Sequence, residues 1–180
     1  MPTAAPSTSP TPEPPPAPRY YWEDFPVGRV REFGGMLVTR EAIVEFARAY
    51  DPQPFHLDEA AAATTLFGRL AASGWHTCAM AMRMMCDAYL LESAALGSPG
   101  VDNVRWLKPV HPGDTLHVRL TVLEARPSAS RPGVGLVKSH WDVSNQHDEA
   151  VLSMEGWGLF RCRPSAQPPV QNRAPREGLP

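Results

Sequence analysis

From residue 29 onward, hydrophobic and polar residues first alternate as in a strand and then recur with the spacing of a helix. Residues 29–38 are typical of a strand interrupted by two glycines, which predicts a bulge. Thr39 is a favourable N-cap for the helix that follows, and Pro52 ends it. The apolar positions at helical spacing are Ile43, Phe46, Ala47 and Tyr50. Because the residue before a proline avoids the α region, we expect Asp51 at the end of this helix, with its side chain at an edge.

Two further helices are predicted downstream. Asp58 is placed to cap a short helix through residues 59–68, and the chain then leads to Ser73. Residues 74–97 have a helical period with one apolar side, so we expect a long central helix that Gly97 ends. That apolar side consists of Trp75, Ala79, Met82, Cys86, Tyr89 and Leu90.

The rest of the core alternates with the period of a strand. Four long strands are predicted, at residues 101–110, 114–126, 134–146 and 150–163, with turn sequences between them. In the second of these strands one face carries Leu116, Val118, Leu120 and Val122, and the other carries His117, Arg119 and Thr121. The pattern therefore predicts an α+β fold, in which a curved antiparallel sheet wraps one long central helix.

Composition separates a folded core from two tails. The chain has 180 residues and 21 prolines, most of which fall in residues 1–18 and 164–180. These segments contain few large aliphatic side chains, so we expect disordered tails around a single domain at residues 20–163. The first tail has neither the basic start nor the apolar run of a secretory signal, which favours a cytoplasmic location.

Charge and cysteine usage argue against several function classes. The formal net charge of -2, with scattered Lys and Arg, gives no basic field for nucleic acid. The most hydrophobic stretch, residues 75–96, is interrupted by Arg83, Asp87 and Glu92, so no membrane span is predicted. The three cysteines lie outside any C-x-x-C spacing, which argues against a disulfide framework or a zinc site. We expect no metal, no cofactor, no nucleic-acid partner and no membrane partner.

An acid and an imidazole are the candidate chemical groups. The stretch YDPQPFH sets Asp51 and His56 five positions apart, with two prolines between them. An extended chain of that length spans about 17 Å, so both side chains can reach one water molecule only if the loop bends back. Prolines, whose φ is fixed, lower the entropic cost of such a bent loop. A plainer interpretation is a helix stop and a turn, with Asp51 in solvent and His56 packed under the next helix.

A wider pattern resembles a known family. The run FARAYDPQPFHLDEAAAATTLFGRLAASGWHT, followed later by VRWLKPVHPGDTL, resembles the MaoC-like dehydratases, which include the R-specific enoyl-CoA hydratases. The resemblance covers residues 20–163 and implies a hot-dog fold, a homodimer and an acyl-CoA thioester substrate. It implies reversible hydration of a trans-2-enoyl-CoA to a (3R)-3-hydroxyacyl-CoA. Many members have Asn where this chain has Gln53, a departure that leaves the acid and the imidazole in place and bears on the pocket.

The chemistry of hydration suggests a role for each candidate. Asp51 and His56 are expected to activate the water together, either one acting as base and the other as proton donor. A helix that starts at Ser73 or Gly74 presents free N–H groups, so the Gly74 N–H is the expected oxyanion donor, although an ordinary N-cap gives the same sequence. His76 is expected to be structural. The expected substrate-binding residues are Ser73, Trp75, Phe67, Leu66 and Arg105. Arg105 and Lys108 are the candidates for the coenzyme A phosphates, although exposed charges on a strand often only face solvent.

Two other functions stay open from the sequence. A hot-dog thioesterase shares the fold but needs a carboxylate near the start of the central helix, and Asp87 and Glu92 lie too far along that helix. A non-catalytic subunit that binds acyl-CoA or a protein partner is the third candidate. Its proline-rich tail would serve as the ligand of an interaction domain.

Overall fold

The described part of the chain covers most of the predicted domain. The computed structural model describes residues 16–164. Apart from residues 16–18 and 164, the predicted tails at residues 1–18 and 164–180 lie outside the described residues. Their disorder and the domain limits at residues 20–163 therefore stay predictions.

Helices dominate the first half of the described chain and strands the second. A 3-10 turn at Trp22–Asp24 precedes them, and a π-helical turn at Cys86–Leu90 extends the last helix. In chain order the helices and strands are β1 Val30–Leu37, α1 Arg40–Tyr50, α2 Pro54–Leu57, α3 Glu59–Ala63, α4 Gly74–Met85, β2 Ala95–Trp106, β3 Thr115–Pro127, β4 Val134–Ser144 and β5 Ala150–Arg161. Within residues 16–164, no helix has the length and apolar character needed to cross a membrane.

The five strands form one antiparallel sheet in the order β1-β3-β4-β5-β2. Strands β1 and β2 are therefore its edges. The bulge predicted in the first strand is confirmed, because the register of β1 against β3 shifts between Gly34 and Met36. Gly34 has a φ of +131°, and a Cβ there would lie 2.8 Å from the His117 Cα, so glycine is required at this close approach.

The core lies between α4 and the inner face of the sheet. The inner face of β3 carries the four residues predicted for it, all buried: Leu116, Val118, Leu120 and Val122. From α4, the residues packed into the same core are Met80, Ala81, Met84 and Met85. One central helix against an antiparallel sheet confirms the predicted α+β class.

The prediction that the central helix continues to Gly97 is wrong. Regular helix ends at Met85, the π-helical turn follows, and β2 begins at Ala95, so Gly97 lies in a strand. The chain leaves the helix because Ala94 is held by two distant segments: its N–H donates to the Tyr20 carbonyl, and its carbonyl accepts from the Arg161 N–H. Hydrogen bonds to distant residues cannot be predicted from the spacing of apolar residues within the helix.

The region between α1 and α4 also differs from the prediction of one helix through residues 59–68. Pro54 starts an extra short helix, since proline suits a first helical position. Asp58 caps α3 as predicted, accepting from the Ala61 N–H at 2.9 Å. The helix stops at Ala63 because the Thr64 hydroxyl donates to a backbone carbonyl and so competes with the helical bonds.

Candidate functional site

Asp51 and His56 lie close together beside the end of α1. Asp51 is the C-cap of α1, and its N–H donates to the Ala47 carbonyl, so its side chain stands at the helix edge as predicted. His56 lies in α2 and is only 4% exposed. The loop between them bends back, and Asp51 Oδ2 lies 3.6 Å from His56 Nε2. The plainer interpretation holds for the helix stop and for the buried His56, but it is wrong for Asp51, whose side chain is only 17% exposed and faces the imidazole.

Two side chains donate to the Asp51 carboxylate. The Ser73 hydroxyl donates to Oδ2 at 2.6 Å, and the Gln53 amide donates to Oδ1 at 2.8 Å. The Ser73 hydrogen bond is the largest cause of a lowered Asp51 pKa, burial opposes it in part, and Gln53 and the charge of His56 add to the lowering. Asp51 is therefore held as a carboxylate, and Gln53 supports it.

The His56 ring is fixed by a backbone carbonyl. Its Nδ1 lies 2.7 Å from the Ala71 carbonyl oxygen. Since a carbonyl only accepts, Nδ1 carries a proton, and Nε2 is the nitrogen that faces Asp51. The rings of Phe55 and Phe67 pack at 4.6 and 5.8 Å from the imidazole. Of the two ring nitrogens, Nε2 is therefore the one available to the chemistry of the site.

The start of α4 lies directly beside this pair. Ser73 is the N-cap, and its hydroxyl accepts from the Trp75 N–H while donating to Asp51. Gly74 follows at the first helical position, where backbone N–H groups have no acceptor inside the helix. A Cβ at Gly74 would overlap the Trp106 ring, so the absence of a side chain there lets the indole pack against the helix start.

A cleft of about 440 Å³ opens over these groups. Asp51, His56, Ser73 and Gly74 line it. Of the predicted substrate-binding residues, Phe67 and Trp75 also line it. Two predicted residues do not line the cleft. Leu66 is fully exposed in the turn after α3, where the chain directs it outward, and Arg105 is exposed on the edge strand β2.

Sequence reasoning did not single out Trp106 as a residue of the site or Asp51 as the partner of Ser73. Trp106 and Lys108 line the cleft, and Lys108 Nζ pairs with Glu149 at 2.6 Å. Lys108 is a candidate from the sequence, and Trp106 lies two residues before it in the same stretch, so only its spacing relative to the turn could have indicated it. The hydrogen bond from Ser73 to Asp51 joins positions that are far apart in the chain and has no local signal.

Other titratable groups lie outside the cleft. His76 is buried, and its ring stacks on Phe46 with centroids 4.7 Å apart, as expected for a structural histidine. Asp87 pairs with Arg83 on the surface and lies beyond the C-terminal end of α4, so it does not reach the start of that helix. Within residues 16–164, no group of three or more His, Cys, Asp or Glu side chains is arranged to hold a metal ion.

Comparison with known proteins decides the family. A family model described as the MaoC like domain matches residues 24–141. The chain belongs to the MaoC-like domain family. The MaoC-like dehydratase from Rhodospirillum rubrum is 41% identical, with a TM-score of 0.75, and the match covers 81% of this chain and 99% of that one. The predicted resemblance is confirmed.

Two further relatives carry hydratase names. The R-hydratase PhaJ1 from Pseudomonas aeruginosa is 25% identical, with a TM-score of 0.65, over 83% of this chain and 94% of that one. The mesaconyl-CoA hydratase of Cereibacter sphaeroides is 40% identical over 74 residues, which are 41% of this chain and 21% of that protein. The chain thus spans about a fifth of the length of the mesaconyl-CoA hydratase. The predicted hot-dog fold is confirmed by the structural neighbours.

Proposed function

We propose that this MaoC-like protein catalyses the reversible hydration of a trans-2-enoyl-CoA to a (3R)-3-hydroxyacyl-CoA. The observation that carries the proposal is the 3.6 Å separation of Asp51 Oδ2 and His56 Nε2 at the wall of the cleft. This separation is too long for a good hydrogen bond and short enough for one water molecule to contact both atoms. The hydratase names of the relatives support the same chemistry.

Asp51 is the proposed base and His56 the proposed proton donor. The lowered pKa of Asp51 keeps it ionised, so it can accept a proton from water but has none to give. As the water oxygen bonds to the β-carbon, Asp51 takes one water proton, and His56, in its imidazolium form, delivers the Nε2 proton to the α-carbon. The proton then passes from Asp51 back to His56, which restores both groups. Dehydration runs through the same steps in reverse.

The helix start is the proposed oxyanion site. Negative charge develops on the thioester oxygen while the α-carbon awaits its proton, and a backbone N–H aimed at that oxygen lowers the barrier. The Gly74 N–H lies at the positive end of the α4 dipole and on the wall of the same cleft. Ser73 is assigned a positioning role instead of direct substrate binding, because its hydroxyl already donates to Asp51 and accepts from Trp75.

The coenzyme A thioester is the proposed handle of the substrate. Phe67 and Trp75 provide apolar walls beside the reacting atoms, and Lys108 provides a cation on the cleft for a phosphate. Of the two candidates for this role, Lys108 lines the cleft and Arg105 does not. The name of the mesaconyl-CoA hydratase supports a CoA thioester as the substrate class.

A homodimer, as expected from the sequence, is also part of the proposal. Strand β2 lies at an edge of the sheet, and almost all of its residues are exposed. Its large exposed apolar residues are Leu96, Val101 and Trp106. An open edge with apolar side chains favours pairing with a second copy. The cytoplasmic location stays a prediction.

The test is turnover of crotonyl-CoA and longer enoyl-CoAs, followed by loss of the conjugated double bond and by release of free thiol. We expect double-bond loss without thiol release. Asp51→Asn and His56→Ala should each lower the hydration rate by about two orders of magnitude or more, because each removes an acid-base group.

Asp87→Asn and His147→Ala are the matched controls, since both residues are exposed and lie outside the cleft, and both variants should keep the wild-type rate. Thiol release without hydration would identify a thioesterase instead. Binding of acyl-CoA without turnover of any enoyl-CoA would identify a non-catalytic subunit. Near full rate in Asp51→Asn would remove that residue from the mechanism.

A further inference from the structure

A polar cavity of about 430 Å³ adjoins the cleft. It lies where the chain enters β3, and the turn between β4 and β5 forms part of its wall. Lys108 and Pro109 line both the cavity and the cleft. A molecule whose reacting end lies in the cleft can therefore extend past Lys108 into this second space.

The two carboxylates in the wall of the cavity already have partners. Asp114 accepts from the His111 N–H at 2.8 Å and from the Gln146 amide at 3.3 Å. Glu149 accepts from Lys108 Nζ at 2.6 Å. A lysine ammonium has three N–H donors, so two of those on Lys108 remain for a ligand. The acids are thus engaged within the protein, and Lys108 still has donors to offer.

Two other side chains of the cavity are open to a ligand. Arg69 is exposed, and none of the ion pairs within residues 16–164 includes it. His111 is 8% exposed, and its Nδ1 lies 2.7 Å from the Leu70 carbonyl oxygen. Nδ1 therefore carries the proton, which makes Nε2 an acceptor.

The His111 Nε2 atom is available to a ligand. It forms no hydrogen bond within residues 16–164, and it is not among the side-chain nitrogens that the same residues fully enclose without a partner. A ligand that suits this cavity offers an anionic group to Arg69 and an N–H or O–H donor to His111.

We propose that the cavity binds the adenosine 3′-phosphate 5′-diphosphate end of coenzyme A. The phosphates supply the anionic groups for Arg69 and Lys108, and the amino and hydroxyl groups of adenosine supply a donor for His111. Arginine suits a phosphate because its planar guanidinium can form two parallel hydrogen bonds to it. The proposal rests on the proposed function for the position of the thioester in the cleft.

The cavity would distinguish between two carriers of an acyl thioester. Coenzyme A and a carrier protein both present a phosphopantetheine arm, but only coenzyme A continues into adenosine and a 3′-phosphate. Contacts beyond the arm strengthen binding without touching the reacting atoms. A CoA thioester should therefore bind more tightly than the same acyl group on pantetheine.

The first experiment measures binding without turnover. Adenosine 3′,5′-bisphosphate, adenosine 5′-monophosphate and pyrophosphate are titrated calorimetrically into the full-length protein. The bisphosphate should bind about tenfold more tightly than either of the others, because one lacks the 3′-phosphate and the other lacks the nucleoside. Equal affinity for pyrophosphate would contradict recognition of the nucleoside. No binding of the bisphosphate would overturn the inference.

A pair of arginine variants assigns the phosphate contact. Arg69→Ala should weaken binding of the bisphosphate about tenfold, the effect of one charge-assisted hydrogen bond. Arg131→Ala is the matched control. Arg131 is also exposed, but it lies in the turn after β3, at the opposite end of that strand from the cavity. Equal affinities in the two variants would contradict the role of Arg69.

Kinetics provide a second measurement on the same variant. Arg69→Ala should raise KM for crotonyl-CoA with little change in kcat, because a contact remote from the reacting atoms holds substrate and transition state equally. Crotonyl-pantetheine has no nucleotide, so Arg69→Ala should leave its kinetics unchanged. An equal rise in KM for both substrates would contradict the assigned contact.

Failure of the proposed function gives a different result. If crotonyl-CoA is hydrated but adenosine 3′,5′-bisphosphate does not bind, only the nucleotide site is lost. If the bisphosphate binds as expected but no enoyl-CoA is hydrated, the nucleotide site stands and the hydratase proposal is lost.

Discussion

At the scale of single residues, the site depends on hydrogen bonds that set the protonation of the acid and the imidazole. Ser73 and Gln53 keep Asp51 ionised, and the Ala71 carbonyl holds His56 with Nε2 towards it. Neither side chain rotates freely, because both carboxylate oxygens of Asp51 accept hydrogen bonds and His56 Nδ1 is bonded to a backbone carbonyl. Preorganised groups of this kind avoid the entropic cost of orientation during the reaction.

Ser73→Ala should shift the pH dependence of activity. Loss of its hydroxyl removes the largest cause of the lowered Asp51 pKa, so that pKa should rise towards its ordinary value. Because Asp51 must be ionised to act as base, the acidic limb of the kcat/KM profile should move to higher pH. Steady-state kinetics across the acidic range measure this shift.

The control for Ser73→Ala is Thr39→Ala. Thr39 caps α1 as Ser73 caps α4, accepting from the Ala42 N–H at 3.1 Å, but it makes no contact with Asp51. Both variants should lose about 1 kcal/mol of stability, the usual effect of a lost N-cap. Only Ser73→Ala should move the acidic limb. An equal shift in both variants would contradict the assigned role.

At the scale of elements, α1 and α4 meet at a buried histidine. His76 of α4 stacks on Phe46 of α1, and its Nδ1 has no hydrogen-bond partner among the described residues. Burial lowers the pKa of His76 from its ordinary 6.5. The junction that holds Asp51 at the end of α1 beside Ser73 at the start of α4 therefore depends on a neutral imidazole.

Stability should fall as the pH drops below the ordinary histidine pKa. The folded state binds the His76 proton less readily than the unfolded state, so the unfolded state takes up more protons and the free energy of unfolding decreases. Urea unfolding at about pH 7.5 and about pH 5.5 measures the loss. His76→Phe keeps an aromatic ring against Phe46 but has no group to protonate. Its free energy of unfolding should therefore decrease less between the two pH values.

The exposed His147 provides the comparison for His76→Phe. His147→Ala removes a histidine from the surface and should retain the wild-type loss of stability between the two pH values. If His76→Phe shows the same loss as the wild type, the pH dependence does not come from His76.

At the scale of the whole molecule, the sheet ends in an open apolar edge. Val101 on β2 is 51% exposed, and Leu37 on the opposite edge strand β1 is 60% exposed. The homodimer proposed above pairs two copies through β2, so the two edges should respond differently to charge. A lysine on an edge strand blocks pairing there.

Val101→Lys should therefore convert a dimer into a monomer, while Leu37→Lys should leave the dimer intact. Light scattering coupled to size-exclusion chromatography measures both masses. A wild-type monomer would exclude the dimer outright. Loss of the dimer in Leu37→Lys alone would place the interface on β1 instead.

Much of the fold was predictable because it follows local rules. The strand alternation of β3, the bulge at Gly34, the Thr39 cap and the stop at Pro52 each depend on residues within a few positions of one another. The end of α4 was not predictable, because Tyr20 and Arg161 hold the chain at Ala94 from distant positions. Short-range periodicity cannot report such contacts.

The candidate site divides in the same way. The position of Asp51 at a helix end, the stiff proline link to His56 and the helix start at Ser73 follow from the sequence, since proline geometry and capping are local effects. The hydrogen bond from Ser73 to Asp51 and the packing of Trp106 beside Gly74 exist only in the folded chain. Those contacts join segments brought together by burial of the core, which has no fixed spacing along the chain.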